Sequence, residues 1–381
     1  MEALDRFEAQ GYMQRHNEQA HRQPLLAPIN ADWDTPRGSM DTSLLIPEKG
    51  EHLPLILYIP DLGDSALEGS PWRTAWAGTG YAVLGLQPRR TGPRIFTSEE
   101  ARNGNFDLLA QKAFATEQLI AEQQDVAFAV AEVRRRIKAG DAVFARIDAD
   151  SIVVAGNGLG ARVAQLIMGE AHPAQASVGI TGLQGAVMIS PWADRSDIAP
   201  NQRFAEATRP QLFISSRADF DAFSWIKNLD ERTEAFKSVP AGDKFLLMLA
   251  VASNRTLAGK HDLDHPADGS AHKQPEGGRG GRGKRGGSGG GAGGSPGGMS
   301  FGEGGKSKPA GGMPDNEGGH SRGGEGPSHG GAQNDQRAGV AIRQVSLAFL
   351  DLVLRKRADA GDWLVLDAQR WLGQVGTLSG R

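Results

Sequence analysis

An α/β fold with a mostly parallel central sheet and helices on both faces is predicted by three features of this chain. Short apolar runs alternate with longer stretches of helical periodicity, the pattern of strands joined by crossover helices. The runs are continuously apolar, as in 53–60 (Leu-Pro-Leu-Ile-Leu-Tyr-Ile-Pro), which marks strands buried on both sides. The segment 151–167 passes from such a strand through Gly156-Asn-Gly-Leu-Gly160 into an amphipathic helix. That is a strand, a tight turn and a helix in one unit.

Taken in order, residues 1–40 are polar and carry Pro24, Pro28 and Pro36, so they read as an N-terminal arm or peripheral hairpin. The first buried strand is 53–60, followed by helix 72–77 and strand 80–87. A long helical pattern covers 106–138, with Val126, Val130, Val133 and Ile137 on one stripe. After the strand–turn–helix unit, strands are expected at 186–190, 211–215 and 244–251. A last helix presents Ile342, Val345, Phe349 and Leu352 on one face.

One stretch breaks this order. Of the 52 glycines, 26 fall between Gly277 and Gly331, and Phe301 is the sole aromatic from 262 to 338. Such a composition buries too little apolar surface to offset chain entropy, so 262–338 is expected to be a disordered, Gly-rich insertion. The organisation expected is an arm over 1–40, a domain made of 41–261 and 339–381, and this insertion between its last strand and last helix. Closing a long loop costs only a logarithm of its length, so the fold tolerates it.

Net charge is −3, which gives no general pull toward nucleic acid, and there is no cysteine, which removes thiol chemistry. The N-terminus lacks the basic and apolar regions of a signal peptide, and no run reaches the length of a membrane span. A cytoplasmic location is the default expectation. Arg279-Gly-Gly-Arg-Gly-Lys-Arg-Gly-Gly287 is basic but lacks aromatic stacking partners, so no specific nucleic-acid partner is expected.

The unit 151–167 has the frame G-x-S-x-G of a nucleophile elbow, with Gly156 and Gly160 at the outer positions and Gly158 in the middle. Glycine has no side chain with which to attack. Around it, the Asp61-Leu-Gly-Asp64 loop, the strand Tyr81-Ala-Val-Leu84, the helix Gln124-Asp-Val-Ala-Phe-Ala-Val130 and the run Arg146-Ile-Asp-Ala-Asp-Ser-Ile-Val-Val-Ala-Gly156 follow one another. With the ending Val345-Ser-Leu-Ala-Phe-Leu-Asp-Leu-Val-Leu354 before Trp363-Leu364, this order resembles the α/β-hydrolases of the dienelactone hydrolase type. The branch related to platelet-activating-factor acetylhydrolases is the most similar. The likeness spans about 40–260 and 339–375.

The resemblance implies a serine at 158, an acid after the strand 211–215 and a histidine after the strand 244–251. Asp219 matches the acid, with Asp221 as its near alternative, but position 254 is Asn. Two triad members are thus missing, and the triad works as a unit. The loop at 60–65 matches the place that supplies an oxyanion-hole N–H, which makes Leu62, Gly63 and Leu159 the candidate oxyanion or ligand-binding residues.

The expected function is a catalytically degenerate hydrolase that binds a small ligand or a protein partner, with no cofactor. One alternative is an active carboxylic-ester hydrolase with relocated residues. Gly63-Asp-Ser65, Gly156-Asn157 and Asp262-Leu-Asp-His265 resemble the blocks of GDSL-type esterases and would pair Ser65 with His265. The other is a scaffold that recruits partners through the Gly-rich loop. His261, Asp262, Asp264, His265 and Asp268 contain ligand-type side chains, but a solvated loop is the simpler reading and no metal is expected.

Overall fold

Alternate residues of the apolar runs go to opposite faces of one sheet, and each face has its own core. A computed structural model describes residues 2–16, 23–171, 178–192, 198–220, 223, 225–226, 228–260 and 329–381. The nine strands are β1 (Ile29–Thr35), β2 (Gly38–Leu45), β3 (Leu53–Ile59), β4 (Ala82–Pro88), β5 (Ile147–Asn157), β6 (Leu183–Ile189), β7 (Gln211–Ser216), β8 (Lys244–Leu249) and β9 (Gly376–Gly380). They lie in the order β1-β2-β4-β3-β5-β6-β7-β8-β9. The inner pairs from β4 to β8 are parallel, and β1, β2 and β9 join antiparallel at the edges. This is the α/β-hydrolase arrangement.

Leu55, Leu57 and Ile59 of β3 point to a core shared with Leu119, Val126, Val130 and Val133 of the helix Thr116–Lys138 and with the helix Leu159–Ile167. Ile56 and Tyr58 point the other way, to Trp72 and Trp76 of the helix Ser70–Gly78 and to Val345, Phe349 and Val353 of the closing helix His329–Arg355. Parallel strands need such cover on both sides, which accounts for their unbroken apolar sequence.

One expectation is extended and two are corrected. Residues 29–45 form two strands of the sheet, with Thr35 paired to Gly38 across the hairpin. This is the hairpin alternative of the expectation, reaching to Leu45, and its Trp33 and Met40 are buried in the core. The pattern 106–138 is two helices, Phe106–Ala113 and Thr116–Lys138. The closing helix starts at His329, inside the stretch that composition assigned to the insertion; residues 262–328 lie outside those described. Its early residue Asp335 accepts a hydrogen bond from the Ser253 N–H (3.1 Å).

The chain runs from β3 to β4 on one side and then crosses to β5 on the other. The order therefore reverses between β3 and β5, and the crevice beyond their C-terminal ends is where open α/β sheets place ligands.

Candidate functional site

Strand β5 ends at Asn157, and Gly158 turns the chain sharply into the helix Leu159–Ile167 with φ 51° and ψ −110°. This conformation strains any residue with a Cβ. The turn is fixed by the Gly158 N–H, which donates to the Ile189 carbonyl (3.1 Å), and by tight contact with β3. A Cβ on Gly160 would lie 1.9 Å from the Ile59 carbonyl oxygen, so the elbow helix packs against strand backbone. The expected strand, tight turn and helix are all present in one unit.

The space beside Gly158 is filled. A Cβ at Gly158 would lie 2.2 Å from Oδ1 of Asp61, two positions past the end of β3. That same oxygen accepts hydrogen bonds from the Leu62 N–H (2.7 Å) and the Leu159 N–H (2.8 Å). Two N–H groups from two elements thus converge on one oxygen, which is the design of an oxyanion hole. Here the oxygen belongs to the protein.

Burial pushes the Asp61 carboxyl up to about 6, and the Asp64 charge adds to this, against the two N–H groups that favour the anion. Asp64 itself is ion-paired with Lys260 (2.5 Å), which follows the short helix Asn254–Leu257 after β8. Burial raises the Asp64 carboxyl too, with Lys260 opposing.

Of the expected oxyanion residues, Leu62 and Leu159 are brought together. Gly63 is not with them: its N–H donates to the Thr91 carbonyl (2.8 Å), and its missing side chain makes room for the Phe96 ring. Thr91 is held in turn by Glu122, which it bonds through its hydroxyl (2.9 Å). Gly63 therefore shapes the loop, and its N–H is already taken by the Thr91 carbonyl.

Asp219 does stand after β7, buried, but its carboxylate is engaged. Oδ2 accepts from the Ser215 hydroxyl (2.7 Å), Oδ1 pairs with Arg232 (3.2 Å), and Ser190 bonds it as well. Burial raises it, and Arg232 pulls the other way. Ser190 has φ 51°, a strained value for a residue with a Cβ, and closes β6 beside the elbow. Asn254 donates its Nδ2 to the carbonyl of Phe220 (2.7 Å), next door to Asp219. Asn254 thus ties the loop after β8 to the loop after β7.

The relocated pair fares differently at its two ends. The Ser65 Oγ accepts from the Leu67 N–H (3.3 Å) in a local turn. His265, with His261, Asp262, Asp264 and Asp268, lies outside the described residues, as does Asp221. Among the described residues no group of His, Asp or Glu is arranged to hold a metal ion. An aromatic cluster stands at the same sheet edge: Trp192 after β6 and Trp225 after β7 both meet Phe114 (centroids 5.0 and 5.6 Å).

Sequence reasoning missed Asp61, although it sits inside the loop singled out. The available signal was volumetric, since a hole left by Gly158 in a close-packed elbow must be filled by a neighbour. Lys260 carried no signal of its own.

No protein-family model matches the chain, and no curated protein matches it. Among solved structures, a ferulic acid esterase from Streptomyces cinnamoneus is similar at 14% sequence identity and a TM-score of 0.41, over 63% of this chain and 77% of that one. The strand order described above is this chain's own, and it is the order of the α/β-hydrolase fold.

Proposed function

We propose that this protein is a pseudo-hydrolase: an α/β-hydrolase scaffold that has lost serine-type acyl transfer and keeps the crevice at its strand ends as a binding site for a small ligand. The observation that carries this reading is the Asp61 carboxylate seated on both oxyanion-hole N–H groups, where a nucleophile's side chain would stand. A tetrahedral intermediate would need those two donors for its own oxyanion. A carboxylate there repels that charge, and Gly158 supplies no nucleophile. The state of Asn254, tied to Phe220, and of Asp219, tied to Arg232, is consistent with a site released from catalysis.

The test is a fluorophosphonate probe together with short-chain p-nitrophenyl esters. The expected result is no labelling, and turnover no faster than with heat-denatured protein. Turnover or labelling abolished by Ser65→Ala would overturn the reading and establish an esterase with a relocated nucleophile.

A further inference from the structure

The charges around the former oxyanion hole do not cancel. Asp64 is matched by Lys260, and Asp219 by Arg232. Asp61 Oδ1 is held by two backbone N–H groups, while no described residue bonds or pairs with Oδ2. Lys260, bonded to Asp64, also pulls the Asp61 carboxyl down through space, so one cation serves two carboxylates, and the half-buried Asp61 keeps one oxygen at fixed orientation without a bond from a described residue. A partly desolvated carboxylate that shares its counter-charge with a second one gains from a further cationic partner.

Two phenyl rings stand exposed beyond the C-terminal ends of strands, Phe96 after β4 and Phe220 after β7. Phe96 lies against Gly63, two residues from Asp61, and is 50% exposed; Phe220 follows Asp219 and is 74% exposed. The exposed Phe96 ring beside the Asp61 loop, together with the free carboxylate oxygen, offers the two interactions that organic cations use, a cation–π contact and an ion pair.

From this we infer that the site has been inverted in charge, and that its ligand is a small organic ammonium whose N–H donates to Asp61 Oδ2. This rests on the binding role proposed above and names its ligand class. An oxyanion hole ordinarily selects anions. With Asp61 in place, the same two N–H groups serve as a mount for a cation receptor.

The test compares three probes of one shape, benzylammonium, benzyl alcohol and benzoate, by calorimetry and by chemical-shift changes at Leu62 and Leu159. Wild type and Asp61→Asn are measured at pH 8 and pH 5. At pH 8 the wild type is expected to bind benzylammonium at least about tenfold more tightly than benzyl alcohol, and benzoate weakest. That advantage should shrink at pH 5, where Asp61 is mostly protonated, and should be absent in Asp61→Asn at both pH values. The groups that face Asp61 are Tyr58, Asp64, Asp219 and Lys260, so the Asn variant isolates its part of the pH dependence. If Asp61→Asn fails to fold, the loss between pH 8 and pH 5 in wild type carries the test.

Equal affinity for benzylammonium and benzyl alcohol, or tighter benzoate, overturns the charge inversion and leaves the binding role standing. Silence from all three probes overturns both. Fluorophosphonate labelling of wild type overturns the pseudo-hydrolase reading alone.

Discussion

At position 158 the absence of a Cβ sets what a neighbour can do. Asp61 reaches the two N–H groups only because nothing projects from Gly158. Gly158→Ser must therefore evict Asp61 and also adopt a strained backbone, at about 3 kcal/mol of stability by denaturant titration. Adding Asp61→Gly should restore part of that loss. Gly158→Ser alone should stay unlabelled by fluorophosphonate, whereas Gly158→Ser with Asp61→Gly and Asn254→His should label at residue 158, read by mass spectrometry. A stable triple variant that never labels would count against matching 254 to the histidine position.

Asp61 also makes a pH prediction. Its carboxyl titrates near 6, above the ordinary carboxylate value, so the folded chain binds its proton more tightly than the unfolded chain does. The stability from this group is present below about pH 4 and is lost as pH rises through about 6. Asp61→Asn, which can still accept both N–H groups, should stabilise the protein at pH 7.5 by about 1–2 kcal/mol and leave it unchanged at pH 3.5. An equal shift at both pH values would show that the charge is not what strains the site.

At the scale of the element, most of the sheet was legible in the sequence because its inner strands are apolar without interruption. β3 and β7 fall within a residue of their expected bounds. The edges were not legible. β1 alternates, with Trp33 as its one buried residue, and is fenced by Pro28 and Pro36. β9 is Gly-Thr-Leu-Ser-Gly, too short and too rich in glycine to announce itself. The break at Phe114 and Ala115 carries no Gly or Pro, and the cap at Ala115 has no side-chain bond, so packing and not propensity divides that helix. The elbow frame was readable from three glycines. Its occupant was not, because Asp61 and Leu159 meet across 98 positions of chain.

The elbow helix owes its seat to a buried ionic bridge. Glu170 lies just past it and pairs with both Arg162 and Arg203, all three fully or almost fully buried. Glu170→Ala should cost about 3–5 kcal/mol, because two buried guanidiniums lose their shared carboxylate. Urea unfolding checks this. A loss below about 1 kcal/mol would mean that water reaches the pair.

For the whole molecule, composition leads us to propose that the Gly-rich insertion adds little to the stability of the sheet and its helices. Replacing 270–327 with a short Gly/Ser bridge should move the melting temperature by no more than a few degrees, since loop-closure entropy depends weakly on length. A fall of many degrees in a thermal melt would show that the segment packs on the rest of the chain.

The closing helix reaches the sheet from beyond that long insertion, yet it supplies Val345, Phe349 and Val353 to one of the two cores, and its Ser346 hydroxyl accepts from the Trp76 indole (2.9 Å). Continuity of the peptide between 270 and 327 is thus a separate matter from integrity of the fold. A nick there would yield complementing halves, as in a split reporter. Residues 1–269 and 328–381 produced as separate polypeptides should each be poorly soluble, and should co-purify through a tag on either one. Failure of the two polypeptides to co-purify would show that continuity of the chain through this segment is needed for the fold.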